Sequence, residues 1–228
     1  MNFAAYPITL FLIAANVLIS VMGFYNADVV NKGIMWPYGV KRQKQYYRFL
    51  SSGFLHADWM HLIFNMFTFY FFGRNIEIIF NAALPYGSFW YLLLYFAGML
   101  VADIPSYLQH KDNPGYRSLG ASGAVSAIVF AAIVFDPWSQ LQLYAVLSMS
   151  ALVFAVLYIV FCVYMSKQNA DNINHDAHLW GAVFGLVFTI VCLLIMRPDV
   201  FPYILEDLKN PSIMGRRELG LVLRYVLY

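Results

Sequence analysis

Four side chains in this sequence have the types and settings for acyl-transfer chemistry: Ser122 in "LGASGAV", His178 in "HDAHLWGAVFG", and His61 with Asn65 in "MHLIFNM". A serine hydroxyl is inert until a neighbouring base takes its proton, and a neutral imidazole can do so. The reaction also needs donors for the oxyanion that forms. The first amides of a helix have no internal partner, so the Ser122 N–H is available if it opens a helix. The Asn65 amide and the His61 ring can supply two more donors, and residues four apart share one helix face. Each group also has an ordinary reading. A serine in an apolar helix commonly bonds back to a carbonyl one turn earlier. A histidine–asparagine pair can bridge two helices, and a lone histidine can cap its own helix or face loop water. Small residues as in "GASG" are common in membrane helices.

The elements that must position these groups are apolar. Of 228 residues, 61% are hydrophobic and 11% charged, where a soluble domain carries roughly a quarter charged residues. Lipid is therefore the solvent for most of the chain, and a net charge of +2 does not argue for nucleic acid. Spans of about 20 mostly apolar residues are expected near Ile8–Met22, His61–Phe80, Ser88–Ala102, Gly120–Phe135, Leu141–Met165 and Ala177–Met196. No basic region precedes the first and no small-residue cleavage site follows it, so it reads as a span rather than a signal peptide. The expected fold is an all-α integral membrane bundle of six transmembrane helices, forming one domain over residues 1–196. The long first connection, Phe24 to Met60, holds "KRQKQYYRFLSSGFLHADW" and reads as an interfacial structure. Residues 197–228 read as an amphipathic, polar tail, too charged for a seventh span.

The order of the spans brings the four groups to one side. Spans two, four and six run in the same direction, so the ends that carry His61 and Asn65, Ser122, and His178 face one side of the bilayer. Ionisable groups within spans are costly and by default suggest function. The fourth span is short: 16 residues reach roughly 24 Å against a hydrocarbon core of about 30 Å. Ser122 is then expected below the near surface, in a water-filled pocket. Gly123, Ala127 and Ala131 form one small-residue stripe; Ala177, Gly181 and Gly185 form another. Docking these stripes lets two backbones approach closely and brings hydroxyl and imidazole together. Charge does not settle the orientation. One side would hold Arg74, Arg197, Lys209, Arg216, Arg217 and Arg224. The other would hold Lys32, Lys41, Arg42, Lys44, Arg48, Lys111, Arg117 and Lys167. Cys162 and Cys192 both lie in apolar runs, which argues against a disulfide framework or a thiolate metal site. Two histidines with no third clear ligand give zinc thin support, so no metal and no cofactor are expected.

At these residues the sequence resembles the rhomboid intramembrane serine proteases. The family's G-x-S-G is Gly120-Ala121-Ser122-Gly123, its H-x-x-x-N is His61 to Asn65, and its A-H-x-x-G-x-x-x-G is Ala177, His178, Gly181 and Gly185. The resemblance implies a Ser122–His178 dyad with no third acid, and an oxyanion hole from the Ser122 N–H, His61 and Asn65. Asp176 would then point away from His178, His175 would fall in the loop, and His56 would brace the first loop. His110, expected in the loop before the fourth span, matches nothing in the family. The resemblance further implies that single-span membrane proteins are cut near the outer end of their span. The tail would lie on the opposite, cytoplasmic side. "SKQNADNINHDA" would be a lid over the site, and the fifth span a mobile wall beside substrate entry. A bacterial plasma membrane is the expected setting.

Two positions depart from the family. An aromatic is common four residues after the nucleophile, under the histidine ring, and here that position is Ser126. The first-loop pair is Tyr47-Arg48 where Trp-Arg is common. Two other functions compete: a rhomboid-like protein that binds membrane helices without cutting them, and a small proton or ion transporter using the His61–Asn65–His178 cluster. The first usually lacks the nucleophile or base, and transporters tend to show internal repeats and broken helices at mid-bilayer.

Overall fold

The computed structural model describes residues 3–143, 147–168 and 173–209. Helix α1 (Pro7–Tyr25) starts on a proline, whose missing N–H would have had no helical partner anyway. Its next amides are taken by Glu77, in the last third of α5 (Trp59–Ala83): Ile8 N–H at 2.9 Å, Thr9 N–H at 2.7 Å and the Thr9 hydroxyl at 2.7 Å. A carboxylate on the positive end of a helix is stabilised there, and it explains a fully buried acid in an otherwise apolar helix.

Three short helices fill the connection between α1 and α5: α2 (Ala27–Gly33), α3 (Pro37–Gln43) and α4 (Arg48–Ser51). Arg48 holds them together from a buried position. It donates to Gln45 Oε1 at 2.6 Å and to the carbonyls of Ile34 at 2.6 Å and Asn31 at 3.1 Å, and its guanidinium lies over the rings of Trp36 and Tyr47. The connection is also tied to the chain that enters the fourth predicted span. Met35 and Ser118 exchange both backbone hydrogen bonds, at 2.9 and 3.1 Å, and the Ser52 carbonyl accepts the Gly120 N–H at 3.0 Å.

The remaining elements are α6 (Gly87–His110), α7 (Ser122–Phe135), the antiparallel pair β1 (Gln140–Leu143) and β2 (Leu147–Ser150), α8 (Ala151–Gln168), α9 (His175–Met196) and α10 (Phe201–Lys209). The hairpin corrects the fifth predicted span, which was expected to start at Leu141. Gln140, Leu141, Gln142 and Leu143 alternate polar and apolar with period two, the pattern of a strand, and the helix begins only at Ala151. Of the long helices, α1, α6, α8 and α9 are apolar enough to cross a membrane. Helix α5 has the length, 25 residues, but carries Arg74 and Glu77. Helix α7 has 14 residues, about 21 Å at ~1.5 Å per residue.

Helix α7 is the centre of the bundle. Nearly every residue from Gly123 to Phe135 is buried, against α5, α6 and α9, as expected for a helix that is apolar all round. Of the four apolar long helices α8 is the least enclosed: its buried residues are Ala151, Ala155 and Cys162, while Val156, Val160, Phe161 and Tyr164 are exposed. At the far end of the bundle, α10 docks through buried Ile204, and its Asp207 carbonyl accepts from Trp138 Nε1 at 2.7 Å. Arg197 donates to the Ala83 carbonyl at 2.9 Å, satisfying the C-terminus of α5. The rest of the predicted tail, 210–228, lies outside the described residues.

Candidate active site

Ser122 is the first residue of α7, and the turn before it is dictated by Gly120. That residue has φ +130°, and a Cβ there would lie 2.8 Å from His61 Cε1 and 2.9 Å from His61 Nε2. Both conformation and space therefore require glycine, and the His61 ring is held against the turn that presents Ser122. The carbonyl one helical turn before Ser122 belongs to Ser118 and accepts from Met35. The first helical bond of α7 is Val125 N–H to the Ala121 carbonyl, so the Ser122 amide precedes the intrahelical ladder.

His61 is oriented by the N-terminus of α5. The Asp58 side chain caps the helix by accepting the His61 N–H at 2.8 Å, and the Ala57 N–H donates to His61 Nδ1 at 3.3 Å. With Nδ1 as acceptor, the neutral ring carries its proton on Nε2, the nitrogen that faces Gly120. One turn on, Asn65 spends one amide hydrogen on the His61 carbonyl at 3.1 Å and keeps a second. His56 braces His61 edge-to-face, with centroids 4.9 Å apart. The single Ser20 proton goes to the Phe54 carbonyl at 2.9 Å, so His56 Nδ1–H donates to Ser20 Oγ at 2.8 Å. Burial, helped by the neighbouring His61, pushes His56 down to about 3, which keeps this brace neutral.

His178 stands on the first turns of α9, capped by Asn174, whose side-chain oxygen accepts from the Ala177 N–H at 3.1 Å and from the Ser106 hydroxyl at 3.0 Å. Helices α7 and α9 touch backbone to backbone. A Cβ on Gly181 would collide with the Gly123 carbonyl, and one on Gly185 with that of Ala127. The two small-residue stripes thus dock as their spacing predicted. Ser122, His178, His61 and Asn65 line one cavity of about 280 Å³. All four sequence-predicted residues are brought together, from the N-terminal ends of α7, α9 and α5.

The structure adds a residue that sequence reasoning missed. The Tyr158 ring, from α8, lies parallel to the His178 ring, with 2° between the planes and 6.3 Å between centroids. Its hydroxyl pairs with Ser126 Oγ at 2.7 Å, and both residues line the cavity. The aromatic absent from position 126 is supplied by another helix, with Ser126 as its anchor. The available signal was a buried hydroxyl at 126 that needed a partner, and a tyrosine in the apolar run of the fifth predicted span.

Two histidines and one acid near the site stand otherwise than the sequence suggests or gain a partner there. His175 is the first residue of α9 and buried, not a loop residue, because Asn174 rather than a later residue caps the helix. His110 ends α6 and stacks on Tyr116 with centroids 3.7 Å apart, rather than lying in the following loop. Asp176 accepts a hydrogen bond from the Ser166 hydroxyl of α8. Of the segment read as a lid, residues 169–172 lie outside the described residues. Cys162 is not merely apolar filling: its sulfur and one ring nitrogen each of His175 and His178 lie within 4.8 Å of one another. This is the one group of metal-binding composition among the described residues, and it sets a thiol beside two imidazoles where the sequence offered no third clear ligand.

A family model described as the rhomboid domain matches residues 43–195. Among curated proteins, the chain is 26% identical over 196 residues to the mitochondrial RHOMBOID-like protein 12 of Arabidopsis thaliana, covering 79% of this chain and 56% of that one. It is 29% identical over 190 residues to the chloroplastic Rhomboid-like protein 11 of the same plant, covering 78% and 64%. It is 25% identical over 197 residues to the Rhomboid protease GlpG of Enterobacter sp. (strain 638), covering 85% and 66%. The chain thus spans less than two thirds of the length of the two plant relatives.

Proposed function

The chain belongs to the rhomboid family, and we propose that it is an intramembrane serine endopeptidase acting through Ser122 and His178. As a member of that family with four helices long and apolar enough to cross a bilayer among its described residues, it is a multi-pass membrane protein. In the proposed layout α5 and α7 complete a bundle of six spans, with the site toward the outer face. The observation that carries the reading is the single cavity that gathers nucleophile, base and oxyanion donors.

In the proposed reaction, His178 takes the Ser122 hydroxyl proton as Oγ attacks the scissile carbonyl carbon. The oxyanion accepts from the Ser122 N–H, His61 Nε2–H and the second Asn65 amide hydrogen. Collapse of the adduct expels the amine, which takes the proton from His178, and water then hydrolyses the acyl-enzyme by the same path. A helical substrate must unwind first, because its carbonyl is bonded within its own helix. In lipid each broken bond costs several kcal/mol unless water or the site replaces it. This favours single-span membrane proteins cut where small, helix-weakening residues reach the cavity.

The test is cleavage of a single-span reporter in liposomes together with labelling by a fluorophosphonate probe. Wild type should cleave and label at Ser122; Ser122→Ala should do neither, and His178→Ala should fall to near background in both. Equal labelling or cleavage by Ser122→Ala would sink the assignment.

A further inference from the structure

His178 has a second set of neighbours besides the cavity. Cys162 is one of only three buried residues on α8, and His175 and His178 are three apart on α9, so they share a helix face. The ligand atoms of all three lie within 4.8 Å of one another, with Cys162 and His175 buried and His178 half-buried. A thiol and two imidazoles from two helices are a donor set of borderline-soft character, which suits zinc and its neighbours far better than calcium or magnesium.

We propose that Cys162, His175 and His178 bind a divalent cation of the zinc class, which switches the protease off by occupying its general base. The cation site stands on its own geometry; its inhibitory effect rests on the assignment of His178 as base. Tetrahedral zinc with bonds of about 2.3 Å to sulfur and 2.0–2.1 Å to nitrogen sets its ligand atoms roughly 3.3–3.6 Å apart. Side-chain rotations that close the present spacing by about one ångström complete the set. On binding, the Cys162 thiol gives its proton to water and coordinates as thiolate. The imidazoles bind as neutral ligands and no electrons are transferred. Half-buried His178 also lines the cavity, the side from which the ion would enter and a water would complete its coordination. A neutral imidazole has one ring lone pair, so metal-bound His178 has none left to take the Ser122 proton. The same ion ties α8 to α9, so a silenced enzyme is also a clamped one.

The test uses purified full-length protein in detergent. Cobalt(II) added to Ser122→Ala should give a thiolate-to-metal charge-transfer band that zinc displaces and that Ser122→Ala/Cys162→Ala lacks. Zinc should inhibit wild-type cleavage of the reporter, with recovery on chelation, and Cys162→Ala should cleave without metal but need at least about tenfold more zinc for half-inhibition. The same loss of sensitivity is expected for His175→Ala. Absence of the cobalt band, or its persistence without Cys162, overturns the site. A band with cleavage unaffected by zinc overturns the inhibitory role. Should wild type fail to cleave without metal, the proteolytic reading fails, and the cobalt spectra still decide the site.

Discussion

Replacing Tyr158 tests whether a helix outside the sequence motifs holds the base in place. The parallel rings of Tyr158 and His178, 6.3 Å apart, fall within the range of offset aromatic pairs worth about 0.5–1.5 kcal/mol. Losing that orienting energy lowers kcat by roughly 2- to 13-fold at ~1.4 kcal/mol per decade. If the freed imidazole also drifts by ~1 Å, the loss reaches about 100-fold. Tyr158→Ala should therefore lose between 2- and 100-fold in kcat with KM little changed. Tyr158→Phe keeps the ring and removes the hydroxyl that contacts Ser126 and Cys162, so it should stay within about threefold of wild type in kcat while losing about 1 kcal/mol of stability. The assay is initial-rate cleavage of the reporter in liposomes, with thermal unfolding of each variant alongside. A purely structural role would lower folded protein in both variants and leave kcat per folded molecule unchanged; that outcome, or a Phe variant as impaired as the Ala one, would refute the reasoning.

Three further outcomes are expected. His61→Ala and Asn65→Ala should each lower kcat by about 10- to 1,000-fold, more than they affect KM; wild-type rates in both would leave the pair as a helix brace. Gly185→Leu forces a side chain into the Ala127 carbonyl and should destabilise by about 1–3 kcal/mol, with fluorophosphonate labelling per folded molecule reduced as α7 and α9 separate; unchanged labelling would show that Ser122 and His178 do not depend on this contact. His56 titrates near 6.5 when unfolded and about 3 when folded, so between these values the unfolded chain binds the extra proton. Stability should be level above pH 6.5 and fall as pH drops toward 3. Thermal melts across that window should show the slope in wild type and lose it in His56→Gln.

Much of the site was legible because its logic is local. Types and spacing at His61–Asn65, Gly120–Gly123 and Ala177–Gly185, together with the parity of the apolar runs, were enough to name the four groups and the two stripes. Helix period and span direction are properties of the chain itself, and glycine at 181 and 185 announces a close approach wherever the partner lies. The sequence did not reveal the paired strands at 140–143 and 147–150, because a run of apolar residues satisfies the length of a span while its alternation satisfies a strand. Only the folded chain decided which residues meet across helices. Tyr158 reaches His178 because α8 packs beside α9, and Ser126 anchors it because α7 lies at the centre. Cys162 joins His175 and His178 for the same reason. No spacing along one segment encodes such contacts: they depend on the rotation of each helix about its axis, which packing against all its neighbours determines.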